Sequence, residues 1–283
     1  MNVIVLNVSL YIILNILHKP LFRELSFQSA FDEASLLGAP LLEGQELDCT
    51  LTKCCSELSN AIDKLETLSS HDALILLRSS VSAPKIQHIL RNCGIHAALA
   101  MFDALLRTGI SRILNLNLSD VQWLQASLPV RDSGLGTRRI ASLAIPARMA
   151  SAASTRRFLN IILSASSAGE DPYLTEFQTC WTISSGLSLP GPRSSLKQRS
   201  WDEPGLQNDK TTLWNSASAD FQKARLAAVS PCHSGDWLHA RPISSCGLRL
   251  EDEANRLQLG YATPSWCRSP PSSQMSVRRY SWF

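Results

Sequence analysis

The apolar positions that follow residue 50 recur with the period of a helix. They advance in steps of four and three residues: Leu51, Cys55, Leu58, Ile62 and Leu65. These steps place the side chains on one face of an amphipathic helix. A sustained alternation of period two, which is typical of strands, does not occur between residues 50 and 165. The pattern therefore predicts a mainly α protein.

Capping and breaking residues divide the same block into further helices. The pattern predicts helices over 71–81, 82–94, 96–108 and 119–128, and from about Thr137 to Ser164. Pro84 suits a first helical turn, and Gly94 suits a C-terminal end. Ser119 and Gln122 have the spacing of a capping box. Pro146 is expected to kink or restart the last helix.

Two finer expectations concern the helix over 96–108. Asp103 and Arg107 stand four residues apart, so the two side chains are expected to pair along one helix face. Gly109 is expected to separate this helix from residues 110–118, because glycine weakens a helix interior.

Composition divides the chain into five segments. They are an apolar leader (1–34), a helical bundle (35–165), a Ser/Pro/Gly-rich linker (166–216), a small second helical segment (217–260) and a disordered basic tail (261–283). The linker is expected to hold a few short helical turns, one of them at YLTEFQTCW (173–181), and within the second segment helices are expected over 219–229 and 250–259. The prediction is thus a bundle joined by a loop-rich linker to a smaller helical unit.

The overall composition is that of an intracellular globular protein, in the cytoplasm or nucleus. Hydrophobic residues make up 45% of the 283 positions and charged residues 18%. The eight cysteines include no C-x-x-C pair, which favours reduced thiols. The apolar stretch over residues 3–17 is shorter than the roughly 20 residues that a membrane span needs. A membrane anchor there is the less favoured interpretation.

Positive charge is concentrated in one stretch. Between residues 131 and 157 there are six arginines, one acid and no lysine. Arginine suits bidentate phosphate contacts, so this stretch is a candidate for binding a nucleic-acid backbone. The candidate contact residues are Arg131, Arg138, Arg139, Arg148, Arg156 and Arg157, with Lys85 and Arg91 as weaker ones. The pairs 138–139 and 156–157 lie about five helical turns apart and would share one face of a straight helix.

Other chemistry is disfavoured by residue spacing. The glycines at 134 and 136 lack both the third glycine of a dinucleotide loop and a Walker lysine, so they predict a turn in which Gly136 adopts a positive φ. Cys232, His233, His239 and Cys246 do not have the spacing of a closed zinc site. The sequence contains no G-x-S-x-G elbow and no paired aspartates for a two-metal site. We therefore expect no enzyme activity, metal or cofactor.

Several pieces, taken in order, resemble reverse transcriptases of non-LTR-type retrotransposons, in the region after the catalytic palm. The pieces are SLLGAPL (35–41), HDALILLRSSVSAPKIQHILR (71–91), FDALLR (102–107), DVQWL (120–124), QASLPVRDSGLGTRR (125–139), ARMASAAS (147–154) and SPCHSGDWLHARPISSCGLRLEDEANRLQLG (230–260). The resemblance covers roughly residues 35–165 and 217–260. It implies that the bundle is thumb-like and holds a template–primer duplex through phosphate contacts.

The departures from the family define what the chain lacks. The family's Y-x-D-D motif, whose carboxylates bind the two catalytic magnesium ions, is not present. The family tends to have two adjacent glycines where this chain has Ser133 and Gly134. The resemblance therefore implies a fragment or decayed copy without polymerase activity. A helical protein–protein interaction module and a membrane-anchored protein remain the alternatives.

Overall fold

The computed structural model describes residues 35–36, 39–40, 44–162, 172–231 and 233–252. Within these ranges the protein is mainly helical, which confirms the predicted fold class. Two short strands, β1 (Ser35–Leu36) and β2 (Ala39–Pro40), pair in an antiparallel ladder that joins Leu36 to Ala39. The predicted leader (1–34), the tail (261–283) and most of the helix expected over 250–259 lie outside the described residues.

Four helices and one wider turn form the first part of the bundle. They are α1 (Gln45–Leu65), α2 (Ser70–Leu76), a π-helical turn (Leu77–Val81), α3 (Ala83–Cys93) and α4 (Ala97–Ile113). The apolar face predicted for α1 is buried along its whole length. Pro84 occupies the first turn of α3, and Gly94 follows its last residue with φ 67°. These two helix ends are where the sequence predicts them.

The next helices flank a tight turn. They are α5 (Asp120–Ala126) and α6 (Ile140–Ile162), with a short 3-10 turn between them (Val130–Asp132). Ser119 and Gln122 form the predicted capping box of α5. Pro146 lies inside α6, which continues through it. Since α6 begins at Ile140, the paired arginines at 138 and 139 precede the helix, and the prediction that they share a helix face with 156–157 is wrong.

The main hydrophobic core lies between α1, α3, α4 and α6. Its buried side chains include Leu58, Ile86, Phe102, Leu106 and Ile140. The helix pairs in closest contact are α3 with α6, α1 with α4, and α6 with a later helix, α8 (Gln198–Ser216). The bundle therefore draws on a helix from a region where the sequence predicts a linker.

The predicted linker over 166–216 contains two long helices, which corrects the sequence interpretation. α7 (Pro172–Ser185) packs on α6 through Phe177 and Trp181, and α8 buries Trp201, Leu206 and Leu213. Pro204 and Gly205 lie inside α8 and lower its intrinsic helix propensity. Burial against the rest of the protein overrides that propensity, so composition alone was misleading.

The predicted second helical segment packs on the bundle as well. α9 (Asp220–Val229) occupies the range expected for its first helix. Leu226 of α9 shares a cluster with Leu128, Leu206 and Leu213. Two short 3-10 turns follow (Asp236–His239 and Ser244–Cys246). In the described residues, the segment is thus built onto the bundle rather than separated from it by a linker.

Two expectations about α4 are wrong for reasons of packing. α4 continues through Gly109, where an added Cβ would lie 2.7 Å from Cδ1 of Ile62, so the glycine allows α1 and α4 to approach closely. Asp103 and Arg107 do not pair with each other but have partners elsewhere. Asp103 accepts hydrogen bonds from the backbone of α6, and Arg107 binds Asp120 at 2.7 Å.

Candidate nucleic-acid interface

The turn that carries the first arginines is folded tightly onto the end of α5. The amide of Leu135 donates to Ala126 (3.0 Å), and that of Gly136 donates to Leu128 (2.9 Å). A Cβ at Gly134 would lie 2.0 Å from the carbonyl oxygen of Leu128, so only glycine fits there. Gly136 has φ 77°, as the sequence predicts. Because these amides already have partners, the turn offers no phosphate cradle.

Three of the predicted contact residues are paired with acids of α8. Arg138 makes a bidentate contact with Asp202, with both N–O distances 2.8 Å. Arg139 is paired with Asp209. Arg131 reaches Glu203 at 3.4 Å. These acids carry no signal near the arginines in the sequence, because they lie 64 to 72 residues away in the segment predicted to be a linker.

We call this set of contacts the loop–α8 network. It also includes an opposite pair, in which Lys210 of α8 binds Asp132 at 3.1 Å. The network contains four cations and four acids: Arg131, Arg138, Arg139 and Lys210, with Asp132, Asp202, Glu203 and Asp209. Its formal charge is zero. The excess positive charge of the turn over 131–139 is therefore cancelled by α8, whereas the arginines at 148, 156 and 157 lie outside the network.

Exposure differs widely among the arginines of the network. The side chain of Arg138 is 18% exposed and that of its partner Asp202 12%. Arg131 is 46% exposed; its contact with Glu203 is long, and its second acid is the adjacent Asp132 at 3.1 Å. A half-buried bidentate pair resists exchange, whereas each contact of an exposed side chain contributes roughly 0–1 kcal/mol. Arg131 can therefore exchange its acid for another anion far more readily than Arg138.

The candidates further along α6 are also unequal. Arg148 is buried, with 8% of its surface exposed, so it faces the protein interior. Arg156 is exposed near the C-terminal end of α6. The side chain of Arg157 lies outside the described residues. Of these three, Arg156 is the one that the structure places at the surface.

The two weaker candidates lie on α3. Lys85 is bound to Glu57 of α1 at 2.7 Å, and both side chains are more than a third exposed. The hydrogen bond from Lys85 lowers the pKa of the Glu57 carboxyl. Arg91 is partly exposed near the end of α3. Lys85 is therefore accessible, although it already has an acidic neighbour.

One carboxylate near the arginines holds α6 in place. Asp103 accepts hydrogen bonds from the amides of Ile140 (2.6 Å) and Ala141 (3.1 Å). These amides belong to the first turn of α6, where the helix itself offers them no acceptor. Burial raises the pKa of this carboxyl, and the two amides and Arg139 oppose the rise. The sequence shows no signal for this cap, because α4 supplies it from 37 residues upstream.

Residues 236–252 form a strap that packs on α2. The strap is linked to the arginine turn through Arg78. The amide of Leu250 donates to Nδ1 of His71 (3.2 Å), and the carboxylate of Asp252 accepts from the amide of Ser70 (2.8 Å). Arg78 donates to the carbonyl of Leu238, and a Cβ at Gly136 would lie 2.8 Å from Cδ of Arg78. The strap therefore supports Arg78, which in turn lies against the turn.

Two buried groups of this region have shifted pKa values. Burial lowers the pKa of His71, although the nearby Asp72 carboxylate opposes that shift. Burial also lowers the pKa of the Arg78 guanidinium. His71 uses its Nδ1 to accept from the strap, and Arg78 binds a backbone carbonyl. Both are structural contacts.

The surroundings offer little further chemistry. A cavity of about 200 Å³ between α5, α8 and α9 is lined by Ser119, Gln122, Leu213, Gln222 and their neighbours, with no ionisable side chain among them. Within the ranges that the structure describes, no three His, Cys, Asp or Glu side chains come together as a metal site. Among those same residues, no helix is both long and apolar enough to cross a bilayer.

Comparison with known proteins returned no match to a family model, a curated protein or a solved structure. The resemblance to non-LTR reverse transcriptases therefore rests on the sequence motifs alone.

Proposed function

We propose that the chain is a non-catalytic, thumb-like helical unit derived from a non-LTR-type reverse transcriptase. It contacts the sugar–phosphate backbone of a nucleic-acid duplex through its exposed cations. The observation that carries the proposal is the unequal exposure of the predicted contact residues. Arg131, Arg156 and Lys85 are exposed, whereas Arg138 and Arg148 are held in the fold.

The exposed and the buried contact residues differ in the free energy that it costs to replace their carboxylate partner by a phosphate. A phosphate can replace the carboxylate of an exposed ion pair, because such a pair contributes little and both charges remain hydrated. Replacing Asp202 would leave a half-buried carboxylate without its partner, which is costly. The proposed contact set is therefore Lys85, Arg131 and Arg156, with Arg91 as a weaker member. Arg157 is kept in the set because of its place in the basic stretch of the sequence.

Binding of this kind does not read base sequence. Phosphate contacts position a protein on a duplex without carrying sequence information. Each neutralised phosphate contributes about 0.9 to the slope of log affinity against log salt concentration. Three contacts therefore give a slope of about −3. The salt slope is the measurement that distinguishes backbone binding from other association.

The test is a filter-binding titration of an RNA–DNA duplex between about 50 and 200 mM salt. The variant K85Q/R131Q/R156Q is compared with K64Q/K223Q/R241Q, which removes the same charge from exposed positions on α1, α9 and the strap. We expect the first variant to lose most of the salt slope and the control to keep it. Circular dichroism checks that both variants retain their helices.

Two results would overturn the proposal. One is a wild-type chain that has no affinity for the duplex at low ionic strength. The other is an equal loss of affinity in both variants, because it would mean that net charge and not the proposed surface determines binding.

A further inference from the structure

The connection between α7 and α8 exposes several aliphatic side chains. We call residues 183–199 the α7–α8 segment. Four of its side chains are strongly exposed: Ile183 (78%), Leu187 (52%), Leu189 (44%) and Leu196 (51%). None of the four belongs to the hydrophobic clusters formed by the described residues. Four exposed aliphatic side chains within one connecting segment indicate an interaction surface.

The same segment carries only positive charge. Arg193, Lys197 and Arg199 are exposed, and no acid occurs between Glu176 and Asp202. The nearest acid in contact is Glu203, which lies 3.4 Å from Arg199 and is shared with Arg131. In contrast with the loop–α8 network, these cations are not neutralised by an equal number of carboxylates. The surface is therefore both apolar and cationic.

The segment has a defined shape. The amide of Ser195 donates to Gly191 (2.8 Å), and Nε1 of Trp201 donates to the carbonyl of Ser195 (2.8 Å). Gly186 adopts φ 66°, so the chain turns sharply after α7. Trp201 is buried and packs edge-on against Trp181. The exposed side chains are thus presented by a backbone that is already ordered, which lowers the entropy cost of binding.

We propose that the α7–α8 segment docks on an anionic lipid surface. Its aliphatic side chains enter the boundary between headgroups and acyl chains, and its three cations lie against the anionic headgroups. The expected contribution is about fivefold in partitioning for each cation, or about a hundredfold for the three together.

The exposure of the side chains favours lipid over other anionic partners. A bound peptide needs pocket walls around its anchoring side chains, whereas side chains that stand half or more exposed project outward. A single-stranded nucleic acid would be met by aromatic side chains that stack on bases, and a duplex backbone offers only charged and polar groups, whereas the four exposed residues here are aliphatic. An anionic bilayer surface receives projecting aliphatic groups and cations together. This inference is independent of the proposed duplex binding.

The test is co-sedimentation of the full chain with two kinds of vesicle, phosphatidylcholine alone and equimolar phosphatidylcholine and phosphatidylserine. We expect binding to the anionic vesicles and at least about tenfold weaker binding to the neutral ones. The variant R193Q/K197Q/R199Q should lose about a hundredfold on the anionic vesicles. The variant I183S/L187S/L189S/L196S should lose binding to both.

Matched controls separate this surface from general charge effects. K64Q/K223Q/R241Q and the duplex variant K85Q/R131Q/R156Q should both keep their vesicle binding. Because all seven substituted side chains of the segment are exposed, circular dichroism should show unchanged helix content in its two variants. Failure of the wild-type chain to bind anionic vesicles would overturn the proposal. Equal losses of vesicle binding in the control variants would also overturn it. So would a wild-type chain that binds an acidic leucine-containing peptide but does not bind vesicles.

Discussion

The arginine turn over 131–139 and the α7–α8 segment over 183–199 are both rich in cations, but they differ in how many of those cations are paired with carboxylates. Every arginine of the turn meets a carboxylate of α8. Of the cations of the α7–α8 segment, Arg199 alone is in contact with an acid among the described residues, and that acid, Glu203, is shared with Arg131. The difference shows that local charge in a sequence does not measure surface charge, because acids distant in the sequence decide which cations remain available.

Removing Trp201 should have the largest effect, because this residue supports both regions. It is buried in a cluster with Met149 and Trp181, and it holds Ser195 of the α7–α8 segment. We expect Trp201→Ala to lower the free energy of unfolding by about 3–5 kcal/mol. Urea denaturation measures the change. Trp214→Ala, at an exposed position on the same helix, is the control and should cost no more than about 0.5 kcal/mol.

Similar losses of unfolding free energy in Trp201→Ala and Trp214→Ala would contradict this view of the two regions. They would mean that α8 is not anchored by its buried face, and that the acids of α8 are not held against the turn.

Removing one acid of α8 should leave an arginine of the turn without its carboxylate partner, which is the situation of most cations in the α7–α8 segment. Asp202→Ala leaves Arg138 half-buried without its bidentate partner, so we expect a loss of about 2–3 kcal/mol, below the value for a fully buried pair. Glu203→Ala removes an exposed and longer contact and should cost less than about 1 kcal/mol. Thermal or urea unfolding distinguishes the two. If Glu203→Ala is the more damaging variant, the order of importance within the network is reversed.

Acidification should loosen the strap that supports the arginine turn through Arg78, a contact that the α7–α8 segment does not share. The folded-state pKa of His71 is lowered, so the folded protein binds fewer protons than the unfolded chain, and stability falls as pH drops below about 6.5. A protonated His71 cannot accept from the amide of Leu250, and its charge would be repelled by Arg78 and Arg249 and attracted by Asp72. The lost hydrogen bond corresponds to about 1 kcal/mol.

Hydrogen exchange at the Leu250 amide follows this loosening directly. The amide should exchange faster at pH 5.5 than at pH 7.5 after correction for intrinsic rates, in line with the unperturbed pKa of about 6.5. His71→Gln should remove most of that pH dependence. Equal pH sensitivity of the wild type and His71→Gln would show that another group controls the strap.

The smallest effect concerns the backbone of the turn. Ser133 has φ 70°, a conformation that favours glycine, and its hydroxyl donates to Val229 at 2.9 Å. Ser133→Ala loses the hydrogen bond and keeps the strain, whereas Ser133→Gly loses the hydrogen bond and relieves the strain. We expect the glycine variant to be about 1 kcal/mol more stable than the alanine variant. The reverse order in urea denaturation would mean that the backbone here is not strained.

Local signals predicted the parts of the fold that depend on neighbouring residues. The capping box of α5, the start of α3 at Pro84 and its end at Gly94 follow from a few adjacent positions. Gly109 was misinterpreted because its role is to admit Ile62 from another helix. α8 was missed because its propensity is low and its stability comes from tertiary burial. The acidic partners of Arg138 and Arg139 were missed for the same reason, since they lie in α8.

The π-helical turn at Leu77–Val81 affects how this chain should be compared with others. Its widened ring, closed by the amide of Ser82 and the carbonyl of Leu77 (2.9 Å), accommodates one residue more than an α-helical turn would. Deleting the exposed Ser79 or Ser80 would remove that residue and return the turn to α-helical geometry, with the buried faces of α2 and α3 kept in place. An alignment with a relative that lacks the turn should therefore open a one-residue gap here, and an ungapped alignment would pair buried positions of α3 with exposed ones.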